Sequence, residues 1–203
     1  MLATATAPPI DTQTDTTYLP PPQGEWTYAD YLRFVPDEPL YRYEVVEGHV
    51  YMNAAPLPIH QKIIVDLSFE IKLLIHTQKL AGELYVAPID LLLEGVATPV
   101  QPDLLFIHAD RLEIVGKKNI DGAPDLIVEV LSSNWQHDRK IKFDAYRNAG
   151  VKEYWIVDPQ DKQVEVYVLR GEAYICIGRF TNTDAIKSEQ IPAFSTTVQT
   201  IMP

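Results

Sequence analysis

The sequence of 203 residues contains one cysteine, so the chain can form no internal disulfide and no zinc finger. Cys176 lies in the apolar run 174–177, which predicts a buried thiol. No apolar run reaches the roughly 18 residues that a membrane-spanning helix needs. The N-terminus also lacks a basic segment followed by an apolar block, the pattern of a secretory signal. We therefore expect a cytoplasmic protein with no membrane partner.

Basic residues are scarce as well, with 17 Lys and Arg against 28 Asp and Glu and a formal net charge of -11. This excludes a broad basic surface for nucleic acid, because phosphate neutralisation supplies most non-specific affinity. A role on DNA would therefore need another device. Bound divalent cations are one, since they invert the local charge of an acidic site.

The composition divides the chain into two parts. Residues 1–24 hold six threonines, five prolines and almost no large aliphatic side chains, which predicts a flexible arm. Residues 25–203 have the pattern of a single domain. It opens with a short helix capped by Thr27, continues with a β-hairpin that turns at residues 47–49, and then has a long helix from Pro58 to near Gly82.

Short apolar runs bounded by Pro or Gly predict strands over 84–87, 90–93, 103–108 and 126–131. Residues 104–107 and 126–128 are continuously apolar, which indicates strands covered on both faces at the centre of a sheet. A second helix is expected over 135–148, followed by strands over 153–157, 163–169 and 172–177. This order predicts an α+β (mixed α/β) domain, with helices on a central mixed β-sheet.

Two carboxylates interrupt the central strands. Asp103 opens one of them, and Glu129 lies late in the next. Carboxylates are costly in such strands unless they are paired or bound to a cation. On neighbouring strands they would converge at a sheet end and could bind Mg²⁺ or Mn²⁺. The spacing fits equally well with Asp103 as a strand cap and Glu129 paired with a lysine.

The second predicted helix supplies a cation near these acids. Asp138, Lys142 and Tyr146 are spaced i, i+4, i+8 and share one helix face. Lys142 could orient an attacking water and stabilise negative charge during phosphoryl transfer. The plainer alternative is an Asp138–Lys142 salt bridge on the helix surface. Lys140 competes for the same role but points to a different side of the helix.

Four stretches carry a resemblance to a known family: residues 100–103 (VQPD), residues 122–132 (GAPDLIVEVLS), the positions Asp138, Lys142 and Tyr146, and residues 150–159 (GVKEYWIVDP). Together they resemble the Uma-two family of restriction-type endonucleases, within the PD-(D/E)XK nuclease superfamily. The resemblance covers about residues 26–180. It implies a restriction endonuclease-like core, with the β-hairpin at its N-terminal side and antiparallel strands at its C-terminal side.

The resemblance also implies a function, the metal-dependent hydrolysis of DNA phosphodiester bonds. Asp103 and Glu129 would bind Mg²⁺ or Mn²⁺. The superfamily lysine two residues after the second acid is replaced here by Leu131, so its role would pass to Lys142. Glu44 in the hairpin is the candidate for a further metal ligand.

Several of these assignments have alternatives. Glu70 is a weaker candidate than Glu44 for the further ligand, and Glu44 could instead form a salt bridge with Arg42 or a lysine. His60 could contact a phosphate or relay a proton, or only pack at its helix start. Trp135 lies in the loop beyond the site, where substrate contact or lid packing is expected. Asp138 and Tyr146 would support Lys142.

The partners follow from the same reasoning. DNA is the expected substrate, and an exposed sheet edge with aromatic C-terminal strands favours a homodimer, which suits cutting both strands of a duplex. Two other functions stay open: a catalytically inactive binding module that keeps the nuclease fold, which the charge of -11 favours, and a hydrolase of another phosphodiester.

Overall fold

The structure is a computed structural model, and it describes residues 19–36, 41–54, 56–77, 79–132 and 137–202. The first helix is α1 (Tyr28–Phe34), and a capping box between Thr27 and Asp30 closes its first turn. The hairpin of β1 (Tyr41–Val46) and β2 (His49–Ala54) follows. Glu47 and Gly48 form its turn with φ of 49° and 71°, as a two-residue hairpin turn requires.

Helix α2 (Pro58–His76) begins at the predicted proline and buries Ile63, Leu67 and Ile71 along one stripe. The expectation that it continues to near Gly82 is wrong. Thr77 closes the helix with a hydrogen bond from its hydroxyl to the Leu73 carbonyl. The chain must leave the helix there, because Leu80 turns into the core and Gly82 already begins the next strand.

The remaining elements are β3 (Gly82–Val86), β4 (Asp90–Leu93), β5 (Ala97–Val100), β6 (Leu104–His108), a 3₁₀ helix (Ala109–Ile114), β7 (Asn119–Asp121), β8 (Leu126–Val130), a π-helix (His137–Lys142), α3 (Phe143–Asn148), β9 (Glu153–Asp158), β10 (Gln163–Arg170), β11 (Ala173–Thr181) and α4 (Val198–Ile201). The predicted second helix is thus a π-helix that continues into α3. Its end at Gly150, with φ of 83°, is as expected.

The strands form two mixed sheets, and the predicted mixed α+β class is confirmed. One sheet has six strands in the order β11-β10-β9-β8-β6-β3, with β6 and β8 inside it as predicted. The other has five strands in the order β2-β1-β5-β4-β7. Strands β5 and β7 have no counterpart in the sequence prediction. Strand β5 joins the N-terminal hairpin to β4, and β7 pairs with β4 at the other edge of this second sheet.

The six-stranded sheet is covered on both faces. Phe106, Val128 and Trp155 belong to the core cluster that includes α2 and α4. Leu105 and Tyr154, one residue away on the same strands, belong to the cluster that includes α3 and the five-stranded sheet. All residues of β8 are buried. Charged side chains in this sheet therefore need partners within the protein.

Cys176 contradicts its prediction, because it is exposed. It lies on β11, which forms the edge of the six-stranded sheet. In the middle of this strand Ile175 and Ile177 are exposed too, whereas Tyr174 is buried. The apolar run therefore covers an edge strand rather than a strand enclosed by two layers. Among the described residues, no helix is long and apolar enough to cross a membrane.

Asp125 anchors the start of β8, the strand that carries Glu129. Its fully buried carboxylate accepts hydrogen bonds from the His108 backbone N–H (2.8 Å), from Arg111 (2.8 Å) and from Lys152 (2.7 Å). Burial opposes ionisation, but the hydrogen bonds from Lys152, His108 and Arg111 outweigh it and lower the pKa of Asp125. This carboxylate ties the ends of β6, β8 and β9 together.

We expect the Asp125→Asn substitution to lower the free energy of unfolding by about 1.5–3 kcal/mol, the scale of hydrogen bonds to a charged group. Denaturant titration at neutral pH measures the free energy of unfolding. The control is Asp121→Asn, because Asp121 is exposed. Because the folded pKa of Asp125 is lowered, its stabilisation is present above the unfolded value of about 3.9. This stabilisation is lost as the pH falls through the pKa of Asp125 in the folded protein. The difference in free energy of unfolding between the wild type and Asp125→Asn should therefore shrink in acid. A difference that is unchanged in acid would contradict this role.

Candidate active site

The two carboxylates predicted from the central strands lie in one cavity. Strands β6 and β8 pair antiparallel with Leu104 opposite Val128, and Asp103 directly precedes β6. The Asp103 Oδ2 atom accepts a hydrogen bond from the backbone N–H of Val130 at 2.9 Å, which extends the ladder. Asp103 and Glu129 thus meet at the end of the strand pair, as the sequence predicted.

The cavity, called here the carboxylate cavity, has a volume of about 40 Å³. Its lining is almost wholly polar and comes from both sheets, from α2 and from the π-helix. The lining residues are Arg42, Glu44, Asn53, Pro56, His60, Gln101, Asp103, Glu129, Val130, Ser132 and Lys142.

Lys142 lies at the centre of the charges. Its Nζ is 3.0 Å from Glu129 Oε1 and 2.9 Å from Glu44 Oε1, and the residue is 4% exposed. Lys142 is the last residue of the π-helix, a local widening that is frequent at functional sites. Lys140, by contrast, is exposed. The structure therefore brings Lys142, and not Lys140, to the carboxylates.

Tyr146 supports the same carboxylate one turn further along the chain. Its hydroxyl donates to Glu129 Oε1 at 2.7 Å. Burial, followed by the charges of Glu129 and Glu44, raises the pKa of Tyr146 well above its usual value. The phenol consequently stays protonated and remains a hydrogen-bond donor at any physiological pH. This places Lys142 and Tyr146 on one helix face toward the acids, as their spacing predicted.

Glu44 reaches the cavity from β1 of the other sheet. Its Oε1 accepts from the Gln101 backbone N–H at 2.8 Å, and its Oε2 accepts from Asn53 at 2.8 Å. With Lys142 it forms a salt bridge to a lysine, the alternative that the sequence left open. A metal-binding role for Glu44 remains a prediction.

Asp103 is held by His60, the first buried residue of α2. The His60 Nε2 atom is 3.0 Å from Asp103 Oδ2, and Arg42 lies 3.6 Å from Asp103 Oδ1. Burial opposes ionisation of Asp103. It is outweighed by the hydrogen bond and charge of His60, the charge of Lys142 and the Val130 N–H, so the pKa of Asp103 is lowered. Asp103 is therefore ionised at neutral pH.

The donor chemistry of the cavity suits a hard divalent cation. Among the described residues, no three His, Cys, Asp or Glu side chains are spaced to enclose a metal ion. Mg²⁺, however, usually takes only one or two protein carboxylates and keeps several waters. Asp103 and Glu129 supply two carboxylates to one cavity. The residues present thus fit a partly hydrated Mg²⁺ or Mn²⁺.

The other candidates fall elsewhere. Glu70 accepts a hydrogen bond from the Thr196 hydroxyl at 2.7 Å and does not line the cavity, so its weaker candidacy as a ligand is wrong. Trp135 lies outside the described residues, and so does the side chain of Asp138.

Six of the lining residues were not predicted as site residues from the sequence: Arg42, Asn53, Pro56, Gln101, Val130 and Ser132. Arg42 precedes Glu44 by two residues on β1, so the period of a strand puts both on one face. Asn53 lies opposite Arg42 in the hairpin register. The hairpin pattern could therefore have indicated both, whereas the backbone contact of Gln101 has no sequence signal.

Comparison with known proteins gives the fold and the family of the chain. A search of curated proteins found no match. A crystal structure described as "a putative nuclease belonging to DUF820" from Anabaena variabilis ATCC 29413 has a TM-score of 0.69, covers 87% of this chain and 97% of that chain, and is 17% identical. At this identity the likeness shows a shared fold. The Uma2 family, described as "Putative restriction endonuclease", matches residues 28–199, and the chain therefore belongs to this family.

Proposed function

We propose that this protein is a Mg²⁺- or Mn²⁺-dependent endonuclease that hydrolyses phosphodiester bonds of DNA. The observation that carries the proposal is the buried Lys142, which lies beside Glu129 in a cavity that also holds Asp103. Membership of a family described as restriction endonucleases supports a nuclease. An acidic pair next to a desolvated cation is the arrangement that phosphoryl transfer uses to bind and stabilise negative charge.

Asp103 and Glu129 are the residues that would hold the divalent cation. When bound, such a cation supplies a Lewis acid for the phosphate and lowers the pKa of a coordinated water. Lys142 offers an ammonium in a site of low dielectric, where it stabilises the negative charge that accumulates on the phosphate. Tyr146 fixes the orientation of Glu129, and His60 fixes that of Asp103.

The charge balance of the cavity explains why a cation is needed. Three carboxylates, those of Glu44, Asp103 and Glu129, face Lys142, Arg42 and the imidazole of His60, which pairs with Asp103. These groups are already engaged with the carboxylates, so a phosphate entering this site alone would meet three carboxylates at short range and, among the described lining residues, no uncommitted positive charge to offset them. A divalent cation reverses that balance, which allows an acidic protein to accept a polyanion at one point.

The first test is cleavage of supercoiled plasmid and of circular single-stranded DNA in Mg²⁺ and in Mn²⁺. We expect cleavage by the wild type that EDTA abolishes. The Glu129→Gln and Lys142→Met variants should each lose about 10²-fold or more in rate, the scale for removing one group that stabilises transition-state charge. Gel electrophoresis of time courses measures the rates.

Lys140→Met is the matched control, because Lys140 is an exposed lysine of the same π-helix. We expect it to cleave like the wild type. Thermal unfolding of every variant separates a lost reaction from a lost fold, since Lys142 is buried. Equal losses from Lys140→Met and Lys142→Met in folded proteins would contradict the assignment of Lys142.

Calorimetric titration with Mn²⁺ tests the metal separately. The wild type should bind, and the Asp103→Asn variant should bind at least about tenfold more weakly, because a metal ligand has lost its charge. Absence of both cleavage and Mn²⁺ binding would favour the inactive binding module that the acidic composition suggested. Cleavage of a nucleotide or other small phosphodiester, but of neither DNA, would favour the third function.

Dimerisation is a further part of the proposal. Strand β11 lies at the edge of the six-stranded sheet and exposes Ile175 and Ile177, as an edge that pairs with a second copy would. We expect light scattering to give about twice the chain mass of 23.0 kDa. Ile175→Arg should shift the protein toward the monomer. A wild type that stays monomeric at all concentrations would contradict the dimer.

A further inference from the structure

A large open groove lies beside the carboxylate cavity and is not used by the chemistry described above. Its volume is about 1140 Å³, and its walls come from α1, β1, α2 and the end of β3. Four aromatic residues line it, Tyr31, Tyr41, Tyr43 and Phe69. Phe69 is 63% exposed, so its ring is open to solvent. We call this feature the aromatic groove.

The charge of the aromatic groove differs from that of the whole chain. The chain carries 28 acidic and 17 basic residues. Among the described residues, the charged side chains that line the groove are Arg42 and Lys72, and both are basic. The described part of the groove lining is therefore basic, although the whole chain is acidic. This lining is complementary to a ligand that combines flat apolar groups with negative charge.

The aromatic groove is continuous with the carboxylate cavity. Arg42, Pro56 and Gln101 line both of them. Arg42 is also the cation 3.6 Å from Asp103 Oδ1. A ligand in the groove that reached Arg42 would thus place its next group at the proposed catalytic carboxylates.

Helix α2 sets the length of this path. His60 lies in the carboxylate cavity, and Gln61, Val65, Phe69 and Lys72 line the groove along the same helix. From Gln61 to Lys72 the helix rises about 16 Å at 1.5 Å per residue. Stacked nucleotides are spaced about 3.4 Å apart along one strand, so the groove has room for about four or five of them.

We propose that the aromatic groove binds unpaired nucleotides of the strand whose backbone is cut in the carboxylate cavity, an inference that rests on the proposed endonuclease function. Bases stack on aromatic side chains with little regard to sequence, and basic residues along such a groove follow the phosphates. Arg42 and Lys72 are the basic residues of the described lining, and Arg42 also lines the carboxylate cavity. The substrate is therefore single-stranded nucleic acid, or a duplex with an unpaired segment at the site of cleavage.

A fully paired duplex fits these features poorly. Its bases are stacked on one another and present no free faces to Phe69 or Tyr41. Its binding depends on many phosphate contacts, whereas the groove offers two cations. A second copy of this chain is the competing occupant, because Leu32, Val65 and Phe69 form an exposed apolar patch. A second copy would account for this patch alone, whereas a nucleic acid strand also accounts for the continuity of the groove with the carboxylate cavity.

The test is equilibrium binding of fluorescein-labelled oligothymidine of about 12 nucleotides, within the site sizes of single-strand-binding folds, to the full chain in EDTA. Fluorescence anisotropy compares this probe with an abasic strand and with a duplex of equal length. We expect the oligothymidine to bind most tightly. Phe69→Ala should weaken it about 5- to 100-fold, the effect of losing one stacked base. Leu73→Ala is the matched control, since Leu73 is an exposed apolar residue of α2 that does not line the groove.

The salt dependence gives a second measurement. If Arg42 and Lys72 neutralise two phosphates, the slope of log K against log salt should be about -1.4, at about -0.7 per phosphate for a single strand. Lys72→Met should reduce the slope by about half and leave the preference for oligothymidine over the abasic strand intact.

The outcomes separate this inference from the proposed function. Duplex binding as tight as that of oligothymidine, or no effect of Phe69→Ala, overturns the groove inference, while plasmid cleavage by the same protein still supports the endonuclease. If Phe69→Ala loses oligothymidine affinity but the wild type cleaves no DNA, the proposed endonuclease function is overturned. The groove would then bind a single strand that is not a substrate, so the inference fails as well. A dimer that Phe69→Ala dissociates assigns the groove to a second copy and also overturns the inference.

Discussion

The buried ammonium of Lys142 is the contact on which both the fold and the site depend. It joins Glu44 of the five-stranded sheet to Glu129 of the six-stranded sheet, at 2.9 and 3.0 Å. A charge taken out of water is costly, and only close partners offset that cost. Neutralising Lys142 alone would leave the two buried carboxylates without the cation that joins them. The same side chains thus join the two sheets and line the proposed active site.

The position of Lys142 is itself fixed from outside the cavity. Arg139, three residues earlier in the π-helix, forms ion pairs with Glu165 at 2.5 Å and with Asp158 at 3.2 Å. These acids belong to β10 and β9, so the π-helix is tied to the sheet at a point distinct from the carboxylates. At the opposite end of β8, the hydrogen bonds of Asp125 fix the position of the strand that carries Glu129. Rigid supports on both sides are what a site needs to hold a phosphate within a fraction of an ångström.

The sequence predicted the site better than it predicted the sheets. The family resemblance implied that Asp103, Glu129 and Lys142 act together, and two local rules agreed with it: acids in buried strands need partners, and residues four apart, such as Lys142 and Tyr146, share a helix face. Strand partners are chosen by long-range packing, which leaves little local trace. For that reason β5 and β7 escaped the prediction, and Cys176 was assigned to the interior although it lies on an edge strand.

The acidic composition and the aromatic groove together indicate how such a protein would select a substrate. With a net charge of -11 the chain does not attract a polyanion at long range, so long-range electrostatics contributes little to the affinity for nucleic acid. Binding must then come from short-range contacts, and stacking on Phe69 and its neighbours is independent of charge. A paired duplex offers no free base faces and is repelled at a distance. An unpaired segment can gain stacking energy first and reach Arg42 and the carboxylates afterwards. Local strand opening, rather than total charge, would therefore decide where the backbone enters the site.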